Sequence, residues 1–151
     1  MATRNSSTSL LPIVFLVSLC TAQVAYGETA PCALLLQNQV TTIIGASVGG
    51  GSPIANTGCS WATTGAPRVT ITVSIQSEKM FVGAKSSAPA KTTKTAISGV
   101  GDEAIFIGVQ NFSSLWVRKE TKFLLVRIYG LPVSESQTKL KALATNALSK
   151  L

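Results

Sequence analysis

Histidine is absent from this chain of 151 residues, and acidic residues are scarce, at 6 against 13 lysines and arginines. Histidine is the usual general acid or base near neutral pH and a common zinc ligand, so its absence disfavours hydrolytic chemistry and zinc sites. Among the few acids, Asp102 and Glu103 are adjacent, and in a strand they would point to opposite faces rather than form a catalytic pair. We therefore expect a protein that is not an enzyme and uses no cofactor or metal.

Two short motifs resemble catalytic ones but lack the residues that the chemistry requires. The segment GVGD at 99–102 matches part of an intramembrane-protease motif, yet that mechanism needs two aspartates and Asp102 is the single Asp of the chain. We expect a tight turn in which Asp102 bonds to nearby backbone N–H groups. Ser136 and Lys139 fit the S-x-x-K spacing of serine acyl enzymes, but the companion elements of those enzymes are missing. We interpret that match as chance.

Long apolar runs are missing apart from the eleven residues LLPIVFLVSLC at 10–20. A membrane-spanning helix needs about 20 apolar residues, so this run is too short to be one. With Arg4 before it and the small residues Ala25–Gly27 after it, the run predicts a signal peptide over 1–27 and a single mature domain over 28–151. The expected location is outside the cytoplasm, periplasmic or secreted, with no transmembrane span in the mature chain.

Cysteine is scarce as well, with three in the chain. Cys20 lies in the predicted signal peptide and offers an alternative, a lipid anchor attached to this residue, although Leu19 stands where such motifs require a small side chain. Cys32 and Cys59 remain, and in an oxidising compartment they are expected to form a disulfide worth roughly 3–4 kcal/mol. Trp61 shares a strand face with Cys59, so we expect it to pack against the bridge.

The spacing of apolar residues predicts an α+β domain with the element order α–ββ–α–βββ–α. Pro31 suits the first turn of a helix and Gly45 its end, while period-two alternation indicates the strands. Helices are expected on one face of an antiparallel sheet of about five strands. The predicted elements are a helix over 31–45, strands over 59–63 and 68–75, a weak helix over 77–86, strands over 102–108, 114–119 and 122–129, and a C-terminal helix from 134. The segments 45–58 and 87–96 are interpreted as a loop and a linker.

The charge is strongly basic, at +7 for the whole chain. Such a balance favours nucleic acid, an anionic envelope surface or simple solubility. Four lysines at 79, 85, 91 and 94 fall in one window whose single aromatic residue is Phe81, so no base-stacking platform is present and nucleic acid is not an expected partner. We interpret this window as a solvated basic loop.

Strands 114–119 and 122–129 each carry a second, less aliphatic face. Alternation assigns the aliphatic side chains of these strands to the core and leaves arginines and aromatic residues on the other side. Tryptophan, tyrosine and arginine are enriched at binding hot spots, so this face is a candidate binding surface if it is open. In the alternative, Phe123, Leu125 and Tyr129 pack under the 79–94 segment or under the tail next to the predicted signal peptide. The candidate surface consists of Trp116, Arg118, Phe123, Arg127 and Tyr129.

The functional hypothesis is a non-catalytic binding or interaction module of the cell envelope. Its partner would be a protein or an anionic envelope polymer, in keeping with the basic charge of the chain. The alternative is a structural or accessory envelope protein. No residue pattern identifies the ligand.

Eleven residues form one pattern, namely Pro31, Cys32, Leu34, Leu35, Gly45, Cys59, Trp61, Gly99, Gly101, Asp102 and Ala104. With this pattern, the chain from Pro31 to about Leu151, almost all of the expected mature chain, resembles a family of small exported or lipid-anchored bacterial proteins. This family is widespread in actinobacteria and constitutes a domain of unknown function. The resemblance implies an exported location and a shared fold, and it implies no activity. The chain departs from the family pattern at Ala30, where an Asp often caps the first helix, and at Leu36 and Gln39.

Overall fold

The computed structural model describes residues 30–87 and 90–151, which form one antiparallel sheet flanked by helices. The predicted signal peptide, Cys20 and the predicted mature start at Glu28 lie outside the described residues. Seven strands pair in the spatial order β1-β2-β3-β7-β6-β5-β4. The strands are β1 (Ser52–Ile54), β2 (Gly58–Ala62), β3 (Thr70–Gln76), β4 (Thr93–Ala96), β5 (Glu103–Val109), β6 (Phe112–Lys119) and β7 (Lys122–Tyr129). The helices are α1 (Gln37–Ile44), α2 (Glu78–Ser86) and α3 (Val133–Leu148), preceded by a 3-10 turn at Pro31–Ala33.

The α+β class and the antiparallel sheet are confirmed, whereas the prediction of about five strands is wrong. The two additional strands are β1 and β4, which occupy the two edges of the sheet. They lie in the segments 45–58 and 87–96, which the sequence analysis assigned to a loop and a linker. Each pairs on one side only and is three or four residues long, too short for an alternation pattern to stand out.

The main hydrophobic core lies between one face of the sheet and the helices α1 and α3. Alternate residues of β7, namely Leu124, Val126 and Ile128, enter this core, as the period-two pattern predicts. The apolar stripe of α3 packs over them, and Leu140 and Leu143 are fully buried. The predicted C-terminal helix and its apolar face are therefore confirmed.

The prediction that all helices lie on one face of the sheet is wrong, because α2 packs on the opposite face. Its Phe81 is 2% exposed and belongs to a second buried cluster with residues of β5, β6 and β7. The ring centroids of Phe81 and Phe123 lie 5.5 Å apart. The sheet is thus covered on both sides where α2 packs on β5, β6 and β7.

The N-terminal segment is held against the sheet by the Cys32–Cys59 disulfide, with an S–S distance of 1.99 Å, which confirms the predicted pairing. The predicted continuous helix over 31–45 is wrong, since a 3-10 turn ends at Ala33 and α1 begins after the extended residue Leu36. Ala30 offers no side chain to cap the first N–H groups, which removes one stabilising contribution to a helix starting there. Trp61 is 2% exposed in the same core as Cys59.

Candidate functional site

The strand register places all five predicted surface residues on the sheet face that carries α2. Across β6 and β7, Trp116 is the partner of Leu125, Arg118 of Phe123, and Ser114 of Arg127. The residues of this face therefore lie in cross-strand pairs. Whether a pair is buried or exposed depends on whether α2 covers it. On β6 and β7 the face consists of Phe112, Ser114, Trp116, Arg118, Phe123, Leu125, Arg127 and Tyr129.

The face is not open at Trp116 and Phe123, because α2 packs on them, and for Phe123 this is the alternative stated in the sequence analysis. Both are 8% exposed and belong to the cluster around Phe81. Arg118 is engaged as well, with its Nε 3.7 Å from Glu103 Oε2, while Lys85 Nζ lies 2.5 Å from Glu103 Oε1. These side chains are thus part of the structure that holds α2 to the sheet.

Tyr129 and Arg127 remain outside the cover of α2. Tyr129 is 48% exposed, and its ring lies 4.5 Å from that of Phe112, centroid to centroid. Arg127 is partly buried, and its register partners are Thr72 on β3 and Ser114 on β6, so no acid faces it from the adjacent strands. The open part of the predicted surface is therefore the part that lies beside α2 rather than beneath it.

A groove of about 480 Å³ runs along the edge of α2, where the helix leaves the sheet face uncovered. Residues 80, 83, 84 and 87 form the wall of the groove on the helix side, at the spacing of one helix face. Gly83 and Ala84 have small side chains, which leaves space beside the helix. The floor crosses β5, β6 and β7. The groove is lined by Lys79, Met80, Gly83, Ala84, Ser87, Ile107, Phe112, Ser114, Trp116 and Arg127.

The direction of α2 gives the groove two unlike ends. Phe81, near the start of α2, contacts Phe123 on β7, whereas Lys85 pairs with Glu103 on β5. Ser87, just beyond the end of α2, accepts a hydrogen bond of 2.6 Å from Lys94 on β4. The helix therefore crosses the strands from β7 towards β4, and Lys79 in its first turn lies at the same end of the groove as Arg127. The opposite end is lined by Ile107 and Ala84.

Most lysines of the described chain serve its own folding. Five of them donate hydrogen bonds from Nζ to backbone carbonyl oxygens. These lysines therefore do not form an exposed basic patch of the kind that binds polyanions. Lys139, for example, bonds to the oxygens of Ile43 (3.1 Å) and Ile44 (3.0 Å) at the end of α1. The others are Lys94 to Lys85 and Ser87, Lys119 to Leu148, Lys141 to Ser98, and Lys150 to Ala33.

The interpretation of residues 79–94 as a loop is accordingly wrong, whereas the weak helix predicted over 77–86 is confirmed by α2. Lys79 and Lys85 belong to helix α2, and Lys94 belongs to β4 and fastens the end of that helix. The cationic side chains for which the described part of the chain shows neither an ion pair nor a hydrogen bond are Arg68, Lys79, Lys91, Lys122 and Arg127. Of these, Lys79 and Arg127 line the groove.

The two motifs of catalytic appearance have structural roles. Asp102 Oδ2 accepts a hydrogen bond of 2.6 Å from the backbone N–H of Glu120, as expected for a turn residue. Ser136 is fully buried and donates to the carbonyl oxygen of Pro132 at 2.9 Å. Lys139 caps α1 and is not hydrogen-bonded to Ser136 in the described structure. Neither motif places a nucleophile beside a base.

Sequence reasoning identified Trp116 and Arg127 among the ten groove residues and missed the other eight, including Lys79, Met80 and Gly83. A signal was available, since 80, 83, 84 and 87 recur at helical spacing beside the apolar anchor Phe81. Phe112 was also missed, because it was assigned to the turn before β6.

Within residues 30–87 and 90–151, no group of three or more His, Cys, Asp or Glu side chains is placed to hold a metal ion. None of the helices described there has the length and apolar character needed to span a bilayer. Comparison of the chain with protein-family models, curated proteins and solved structures finds no match in any of the three. The family resemblance stated above therefore stays a hypothesis.

Proposed function

We propose that this protein is an exported, non-catalytic binding module that uses the groove beside α2 as its binding site. The observation that carries the proposal is the unpaired guanidinium of Arg127, partly buried at one end of a mostly apolar groove, with Lys79 at the same end. A partly desolvated cation without a counter-ion is costly, and an anionic ligand would offset that cost. Concave apolar sites with a few polar groups are the usual form of a binding site.

The partner in this proposal is a protein or an anionic envelope polymer that presents a negative group to Arg127. The net charge of +7 supports such a partner, because a basic surface attracts anions at long range. Export is supported by the Cys32–Cys59 disulfide, since disulfides persist mainly in oxidising compartments. Attachment through an acylated Cys20 is the alternative, and mass spectrometry of the mature N-terminus distinguishes the two.

A structural or accessory role in the envelope is the second candidate. The observation in its favour is that many of the charged side chains make intramolecular contacts. Five lysines bond to backbone carbonyl oxygens, and Glu103 pairs with Lys85 and Arg118. In that case the groove would have no ligand.

Capture from an envelope extract, compared between two charge-removing variants, tests the binding proposal. Arg127→Gln removes the unpaired cation of the groove, and Lys122→Gln removes an exposed, unpaired cation elsewhere on the same strand. We expect Arg127→Gln to lose most of the captured material and Lys122→Gln to retain it, with both proteins within about 1 kcal/mol of the parent in unfolding free energy. Equal capture by both variants would contradict the proposal.

A further inference from the structure

We propose that the groove beside α2 takes one linear anionic amphiphile, a single alkyl chain that ends in a carboxylate. The carboxylate would lie between Arg127 and Lys79, and the chain would extend along α2 towards Ile107 and Ala84. This inference rests on the binding groove of the proposed function, and it replaces the protein or polymer partner named there with a small ligand that carries one negative group. It follows from the shape of the groove, the distribution of charge along it and the position of Gly83.

The size of the groove fits a small ligand better than a folded partner. Its volume of about 480 Å³ lies within the range of roughly 300–1,000 Å³ typical of small-molecule sites. A stable protein–protein interface buries about 800 Å² on each side, which a groove along one short helix does not supply. The nine residues of α2 give the groove a length of about 14 Å, at roughly 1.5 Å per residue, which suits an extended alkyl chain of medium length.

The charge distribution fits one terminal anion better than a polymer. Both unpaired cations, Arg127 and Lys79, lie at the β7 end of the groove, and no acidic residue lines it. Lys94, at the far side of the sheet, is already bonded to Lys85 and Ser87. A repeating polyanion would place further charges over the apolar end, where nothing pairs with them, so a single anionic head group is favoured.

The remaining walls suit an alkyl chain. Met80, Ile107 and Trp116 offer apolar surface, and Met80 is 52% exposed in the structure. At Gly83 an added Cβ would meet no atom within 4 Å, so the space beside the helix is open at the middle of the groove. A chain lying there would remove the exposed apolar surface of both the ligand and Met80 from water.

Titration of the purified protein by calorimetry tests this inference with three probes that share one chain length. Decanoate carries the proposed head group, decanol is its neutral counterpart, and decylamine carries the opposite charge. We expect decanoate to bind with a stoichiometry of one, decanol to bind about ten- to hundredfold more weakly because the charge-assisted hydrogen bonds are lost, and decylamine to bind more weakly still.

Three variants locate the bound probe. Arg127→Gln should weaken decanoate binding about tenfold or more while leaving decanol binding unchanged, because it removes the charge-assisted bond alone. Gly83→Leu should weaken the binding of both probes. An added Cβ meets no atom within 4 Å there, so the leucine side chain can extend into the groove and occupy the space that the alkyl chain needs. Met80→Ala, at an exposed position, gives a second and milder change of the same wall. Lys122→Gln is the control and should leave both affinities unchanged.

Decanoate that does not bind, that binds no better than decanol, or that binds Arg127→Gln as tightly as the parent would overturn the inference. If one of these results is found while Arg127→Gln still loses capture from the envelope extract, the ligand class is wrong and the binding function stands. If capture is also independent of Arg127, both proposals fail.

Discussion

At the scale of single residues, the meaning of an aromatic side chain depends on what covers it. Alternation correctly places Trp116 and Phe123 on the face opposite the main core, yet both are buried there, under Phe81. The sequence contains a sign of this cover, because residues 123–126 are apolar on both faces of the strand, a feature of strands packed on both sides. The contacts of Arg127 could not be predicted, because they depend on which acids the fold brings near it.

The loss of stability on replacement of Trp116 shows whether this side chain is part of the core or of the surface. We expect Trp116→Ala to lower the free energy of unfolding by about 3–5 kcal/mol, because it removes a large side chain from a buried cluster. Tyr129→Ala, at a position 48% exposed, should cost about 1 kcal/mol or less. Urea unfolding of the two variants measures both values, and a small loss for Trp116→Ala would show that α2 does not cover this face.

At the scale of elements, the periodicity of apolar residues predicts the central strands and the C-terminal helix, but it does not predict the edge strands. Strands β5, β6 and β7 and helix α3 lie close to where the apolar pattern places them, because each buries a full face. The edge strands β1 and β4 are short and depend on a neighbour for their hydrogen bonds, which no local pattern reveals. The side of the sheet on which α2 packs depends on tertiary contacts in the same way.

Helix α1 offers a test of the lysine bonds at the scale of elements. Lys139 on α3 donates to the last carbonyl oxygens of α1, where positive charge also interacts favourably with the helix dipole. We expect Lys139→Met to cost about 1 kcal/mol of unfolding free energy and to speed amide hydrogen exchange at the end of α1. Lys122→Met, which removes an exposed cation with no bonded partner in the described chain, should change neither quantity measurably.

At the scale of the whole molecule, one covalent link and one continuous sheet hold the chain together. The disulfide joins the N-terminal turn to β2, which pairs with β1 on one side and is connected through β3 and β7 to β6, β5 and β4 on the other. The pairing of Cys32 with Cys59 could be predicted because the third cysteine, Cys20, lies within the predicted signal peptide. The break between Ala33 and Gln37 could not, because it reflects how Leu34 and Leu35 both enter the core.

Loss of the disulfide should affect the molecule as a whole. Cys32→Ala removes a link that spans 27 residues, for which we expect a loss of roughly 3 kcal/mol. At about 2–8 °C per kcal/mol, the midpoint of thermal unfolding should fall by roughly 6–24 °C. Scanning calorimetry checks this value, and an unchanged midpoint would show that the bridge contributes little to stability.

The central claim is that Arg127, beside α2, is the anion-binding residue of this protein. Its most direct test is the ratio of envelope material captured by Arg127→Gln to that captured by Lys122→Gln, since both variants lose one positive charge from the same strand. The account predicts a ratio far below one, because Arg127 lines the groove and Lys122 does not. A ratio close to one, with both proteins folded, would contradict it.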